Sequence, residues 1–204
     1  MRISKLLPPI IILLFLASCA SGTKNVEKNK YPIIYPDGAQ KITSDYGSLT
    51  NTKGYKRKKQ HRAIDIEGKI GDSILAAADG VVVKSDDIGK YGLRIIIDHG
   101  KGCNGDRFYT LYLHNNRNLV NVGDKVKRGE KIAVMGLCPV CLTTHLHFAV
   151  IKGRLHGKVA VNPLQAVNPH EYWFDGCGRI TCYDPNRKYP QGKTIRFIYP
   201  VMCR

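Results

Sequence analysis

The sequence predicts a mainly β domain, an antiparallel sheet with few helices. Short apolar runs recur along the chain, "GVVVKS" (80–85), "LRIIIDHG" (93–100), "FYTLYLH" (108–114), "KIAVMG" (131–136) and "LHFAVI" (146–151), separated by Gly-rich or Asp-rich turns. No long apolar stripe of period 3.6 accompanies them, so helix is expected to be minor. In "NVGDKVKRGEKIAVMG", Gly123, Gly129 and Gly136 punctuate the apolar positions Val126, Ile132 and Val134, the pattern of compact β-turn-β structure.

The elements follow in order. Arg2 and Lys5 precede a run, 6–17, that is apolar apart from Pro8 and Pro9 and ends "LASC" at Cys19. The run is too short to span a membrane and reads as a secretory signal over 1–18. Leu16-Ala17-Ser18-Cys19 resembles a bacterial lipobox, in which Cys19 is lipidated and the membrane is reached through that N-terminal lipid. Residues 19–30 then form a tether with little to bury. A domain is expected over 31–169, opening at "YPIIYPDG" with turn-forming Pro32, Pro36 and Gly38. Residues 170–204 differ in texture, with "EYWF", "IRFIY" and three cysteines, and read as an extension packed on the domain.

Formal charge is +16, and loss of Arg2 and Lys5 with the signal leaves +14. An exported chain of this balance meets no nucleic acid; an anionic envelope surface or polymer is the expected partner. "KRKK" at 56–59 reads as a solvated loop. With Cys19 committed to lipid, Cys103, Cys138, Cys141, Cys177, Cys182 and Cys203 remain, an even number that in an exported protein predicts disulfides. Six cysteines allow fifteen pairings, which the sequence does not separate.

Period-two geometry puts His145 and His147 on one face of a strand, with Leu146, Phe148 and Val150 turned to the core. In "HRAID", Asp65 lies between Ile64 and Ile66, so its carboxylate turns away from the core, and His61 precedes it by four residues. "TLYLH" ends in His114, whose side chain by the same alternation shares a face with Thr110 and Tyr112; Tyr112 is read as a packing residue. His61, Asp65, His114, His145 and His147 exceed the three protein ligands of a catalytic zinc, leaving two for proton handling. Spacing alone leaves open which three bind. His99, His156 and His170 read as structural, and Arg62 as a groove-rim residue.

"KITSDYG" (41–47), "HRAIDI", "GDSILAAADGVVV", "YGLRIIIDHG", "YTLYLH", "VNVGDKVKRGEKIAVMG", "THLHFAV" and "VNP" (161–163) together resemble the lysostaphin-type peptidoglycan endopeptidases, also called M23 or LytM-like. The resemblance runs in order from about Pro36 to Pro163. It implies a small, highly twisted antiparallel sheet with a groove, Zn2+ held by His61, Asp65 and His147, and His114 and His145 as catalytic histidines. It also implies a metallo-endopeptidase that cuts peptide cross-links of bacterial peptidoglycan by metal-activated water. The expected location is the cell envelope: the periplasmic face of the outer membrane in a Gram-negative cell, or the extracytoplasmic membrane face in a Gram-positive one. An envelope protein partner is also allowed for.

The chain departs from the family pattern in three places. The approach to HxH is "LCPVCLTTHLH" where the family favours glycine and small residues, "KGCNGDR" (101–107) lengthens one loop, and the cysteine-bearing tail is additional. A Cys2His2 metal site from Cys138, Cys141, His145 and His147 would leave His61, Asp65 and His114 unexplained. A redox pair lacks its strand-helix setting. A disulfide within "CPVC", or from each cysteine to a distant partner such as Cys103, is the remaining reading. The competing functional class is a non-catalytic regulator or activator of cell-wall amidases, which typically loses residues this chain keeps. A lipoyl-type carrier would not account for "HRAID" or "HLH".

Overall fold

The structure, a computed structural model, describes residues 32–50, 54–102, 105–153, 155–156, 159–160, 165–190 and 194–204. The expected signal, Cys19, the tether, Cys103 and "VNP" lie outside the described residues. Strands are β1 (Ile42–Ser44), β2 (Ile64–Glu67), β3 (Ser73–Leu75), β4 (Gly80–Asp87), β5 (Leu93–Lys101), β6 (Arg107–Asn118), β7 (Lys125–Val126), β8 (Lys131–Met135), β9 (His145–Gly153), β10 (Leu155–His156), β11 (Val159–Ala160) and β12 (Gln165–Val167). Helical structure among the described residues is limited to two single 3-10 turns, Gly89–Tyr91 and Pro169–Glu171.

The principal path through the sheet runs β1-β2-β9-β6-β5-β4-β7, with β12 beside β9 and β8 joining both β3 and β6; β10 and β11 form a separate two-stranded sheet. All of these pairings are antiparallel. The fold is therefore the mainly β antiparallel sheet that the apolar runs predict, with the twist that the family resemblance implies.

Register explains why one face is a core and the other a site. Ile64 pairs with Phe148 and Ile66 with Leu146, and all four are fully buried. The residues between them, Asp65 opposite His147 and Glu67 opposite His145, turn to the other face. On the far side of β9, Tyr112 pairs with Phe148 and enters the core, where its hydroxyl accepts the Ala77 N–H at 2.8 Å.

The segments flanking this sheet meet each other. Trp173, Phe197, Tyr199 and Val201 are buried in one cluster with Ile64, Ile74 and Phe148. Their backbone is stitched in by Leu75 N–H to Pro200 O (2.8 Å) and Ile198 N–H to Ala77 O (2.9 Å). Tyr199 donates to Gln40 O (2.8 Å), Arg204 N–H to Gly38 O (2.8 Å), and Ile34 N–H to Gly178 O (2.9 Å), so residues 34–40 are gripped by the C-terminal segment. Cys182 and Cys203 form a disulfide that closes that segment on itself, and Cys177 is also disulfide-bonded.

His99 bonds the Asp79 carbonyl through Nδ1 and the Thr110 hydroxyl through Nε2, both at 2.7 Å. Burial pushes its imidazole down from 6.5 to about 4. The unfolded chain therefore binds the extra proton between pH 6.5 and 4, and stability is lost as pH falls through that window, by about 1.4 kcal/mol per unit at its steepest. Denaturant unfolding at pH 7, 6, 5 and 4 checks this. His99→Gln is expected to flatten the decline by about one proton's worth.

Candidate metal centre

Three donors converge where β2 and β9 meet the loop carrying His61. His61 Nε2 lies 3.1 Å from Asp65 Oδ1, His147 Nδ1 lies 2.9 Å from the same oxygen, and the two ring nitrogens are 3.2 Å apart. A tetrahedral ion with bonds near 2.0–2.1 Å sets its ligand atoms about 3.3 Å apart, so this triangle fits zinc. Its donor set also fits: two imidazoles and one carboxylate, with a side open to the groove.

Outer contacts orient two of the three donors. His61 Nδ1 faces the Asp45 carbonyl at 3.2 Å and the Ser44 hydroxyl at 3.3 Å, which leaves Nε2 for the metal. Arg57 donates to Asp65 Oδ2 at 3.0 Å and to Ser44 Oγ at 3.1 Å, leaving Oδ1 to the triangle. Burial pushes the Asp65 carboxyl up, but hydrogen bonds and charge from His147 and His61 outweigh it and hold the group well below the usual carboxylate range. Burial also pushes the His147 imidazole down, favouring the neutral, ligating form.

His114 and His145 stand beside the triangle with their rings 4.8 Å apart, and His114 is 5.6 Å from the His147 ring. His114 Nδ1–H donates to the Tyr91 carbonyl and His145 Nδ1–H to the Thr143 carbonyl, each at 2.8 Å, so both present Nε2 to the site. Burial pushes His114 down to about 4, with His145 and His147 adding to the effect.

The structure corrects the face predicted for His114. Asn115 pairs with Leu93 and Leu113 with Arg94, so His114 is the extra residue of a β-bulge, and its φ is 72°. That left-handed conformation, uncommon outside glycine, turns the imidazole off the Thr110 and Tyr112 face and toward the groove. Gly136 allows the bulge: its N–H donates to His114 O at 3.1 Å, and a Cβ there would stand 2.7 Å from the Asn116 nitrogen.

The groove around these residues has a volume of about 400 Å³ and is lined by Arg57, Tyr91, Leu113, Val140, Leu142 and Thr143 together with His114, His145 and His147. Cys138 and Cys141 are joined by a disulfide, so neither is a thiolate ligand, although Cys141 lies near His114 and His145. That bond ties down the wall carrying the exposed Val140 and Leu142. Beyond His61 a smaller hollow of about 160 Å³ is lined by Tyr46, Gln60, Arg62 and Gln165. Arg57 is the site residue that sequence reading missed; it lies within "KRKK", where a run of charge gave no sign of one inward-facing member.

An antiparallel β domain with a His/Asp/His metal triangle and two further imidazoles over a groove defines the class of a metal-dependent hydrolase domain. The sequence model of peptidase family M23 matches residues 59–163, just over half the chain, and the chain belongs to that family. It is 34% identical over 115 residues to an uncharacterised metalloprotease of Haemophilus influenzae, covering 55% of this chain and 22% of that one. It is 41% identical over 106 residues to the murein hydrolase activator NlpD of Escherichia coli, 52% of this chain and 25% of that one. With the peptidoglycan DD-endopeptidase ShyA of Vibrio cholerae it shares 30% over 126 residues, 61% of this chain and 27% of that one. The chain thus spans about a quarter of the length of these relatives. Among solved structures it resembles LytU (TM-score 0.52, 27% identity, 70% of this chain and 89% of that one). It also resembles a zinc-containing peptidase from Vibrio cholerae (TM-score 0.50, 27% identity, 69% of this chain and 38% of that one).

Proposed function

We propose that this protein is a zinc metallo-endopeptidase that hydrolyses peptide cross-links of bacterial peptidoglycan. The observation that carries the reading is the division of five side chains into a ligand triangle, His61, Asp65 and His147, and a facing pair, His114 and His145, with Nε2 directed at it. Membership of family M23 and the likeness to a zinc-containing peptidase support it.

Bound zinc supplies Lewis acidity, polarising the scissile carbonyl and acidifying the attacking water. The chain's residues do the rest. His114, neutral at physiological pH because burial disfavours its charged form, offers Nε2 to receive a proton, and the Tyr91 carbonyl holds its ring in that tautomer. His145, held likewise by Thr143, stands across from it, so the pair can take the water proton, stabilise charge at the tetrahedral carbon's oxygen and return a proton to the leaving amine. Arg57 keeps Asp65 in a single orientation throughout. Tyr91, Val140 and Leu142 give the groove an apolar wall suited to the small alkyl side chains of cross-link peptides.

The disulfide in that wall predicts a specific phenotype. Cys138→Ser/Cys141→Ser is expected to raise KM several-fold with a smaller change in kcat and no change in zinc content, because the wall loosens while the triangle stands. Steady-state kinetics on a cross-linked muropeptide beside zinc analysis checks it.

Disulfides among the described residues suit an extracytoplasmic compartment, and the match to NlpD supports an envelope location. The lipobox-like "LASC" supports a lipid anchor at Cys19, on the periplasmic face of the outer membrane if the cell is Gram-negative. A second reading, activation of a separate murein hydrolase, is favoured by one observation, the 41% identity to NlpD. Chelation separates the two: removing zinc should abolish wall hydrolysis and one equivalent should restore it, whereas an activator would release no fragments in either state.

A further inference from the structure

The ligand His61 takes its orientation from residues outside the stretch matched by the family. Its Nδ1 faces the Asp45 carbonyl at 3.2 Å, its N–H donates to Ser48 O at 3.0 Å, and its carbonyl accepts the Gly47 N–H at 2.7 Å. Its placement thus rests on the short loop after β1, 45–48, that must itself be fixed.

His170 meets that loop from inside the fold. Its Nδ1 accepts the Trp173 indole N–H at 3.1 Å, which leaves the proton on Nε2, and Nε2–H donates to Asp45 Oδ1 at 3.0 Å. His170 and Trp173 are both 0% exposed. A buried imidazole costs free energy unless both nitrogens are bonded, and an apolar side chain would pack against Trp173 without that requirement. Here the polar ring stands where it reaches the loop that holds a metal ligand.

We propose that His170 is a positioning residue of the metal centre, acting through Asp45 to fix the carbonyl that orients His61. The C-terminal segment is then part of the zinc site and not an appendage to it. Trp173, His170, Asp45 and His61 form a line with a defined donor direction at its first two links, and outer-shell partners of this kind tune metal affinity.

The inference rests on His61 being a zinc ligand, and its test separates the two ideas. Zinc affinity of the full chain is measured by competition with a chromophoric chelator, alongside the melting temperature of the metal-free protein, for wild type, Asp45→Ala, Asp45→Asn and His170→Phe. Asp45→Ala is expected to weaken zinc binding by about 10–100-fold, while Asp45→Asn, which keeps the acceptor but loses the charge, stays within about threefold of wild type. Without metal, Asp45→Ala, which leaves the buried His170 Nε2–H unpaired, should melt below Asp45→Asn, so the affinities are compared at a temperature where both are fully folded. Asp45 Oδ1 also accepts the Tyr46 N–H at 2.7 Å, so the His170 variant decides: His170→Phe, or His170→Leu if the first does not fold, should weaken zinc binding in the same direction as Asp45→Ala, and a folded His170 variant that binds zinc as wild type does overturns the positioning role. Asp45→Ala binding zinc as wild type does, or Asp45→Asn failing as badly as Asp45→Ala, overturns the positioning role and leaves the metal centre intact. Wild type binding no zinc overturns both.

Discussion

His147→Ala is expected to lose zinc and wall hydrolysis together. Its Nδ1 is 2.9 Å from Asp65 Oδ1 and 3.2 Å from His61 Nε2, so the substitution removes a corner of the triangle. Two donors do not make a closed set for zinc, and the affinity loss should exceed the roughly 10–100-fold that loss of an outer-shell partner costs. The sheet should survive, because Leu146 and Phe148, not His147, fill the core beneath. Zinc analysis after dialysis and circular dichroism check the two halves of this expectation.

His145→Ala should divide those effects. Its Nε2 lies 3.8 Å from Asp65 Oδ1, outside the triangle but beside it, and its ring stacks edge-on to His114. Zinc content should remain near that of wild type while kcat falls by roughly a hundred- to ten-thousand-fold, the range for loss of a general acid-base group. His114→Ala should resemble it, with an added readout. Residue 114 sits at φ 72°, so His114→Gly would relieve the backbone while still abolishing proton transfer. A glycine variant that is at least as stable as the alanine variant and equally inactive fits a strained residue held for its chemistry. Equal zinc loss in the His145 and His147 variants would place both in the ligand set.

Much of the site was legible because strand alternation has a fixed period. Asp65 between Ile64 and Ile66, and two histidines separated by Leu146, carry their facing in the pattern itself, and the β2-β9 register then sets Asp65 directly opposite His147. His114 was legible as a candidate but not in its orientation. A bulge shifts alternation by one residue, and nothing in "TLYLH" marks it; the cause lies in the pairing with Leu93 and Arg94 and in the close approach of Gly136. Arg57 was hidden in a charged run because its partner is the Asp65 carboxylate, eight residues on across a loop. The Asp45–His170 contact joins residues 125 positions apart, beyond the reach of local pattern. Disulfide pairing is likewise a property of the folded chain, and of the alternatives open for "CPVC" the fold selects Cys138 with Cys141.

The proposed zinc triangle, the paired imidazoles and the stapled wall together carry the proposal of a hydrolase that acts on its own. Purified, cross-linked peptidoglycan incubated with the zinc-loaded protein alone, and its soluble products weighed by mass spectrometry, tests that directly. Muropeptide fragments with new peptide termini are expected, absent with His145→Ala. Zinc-loaded protein that releases no fragments alone, yet increases release by an added amidase, would contradict it.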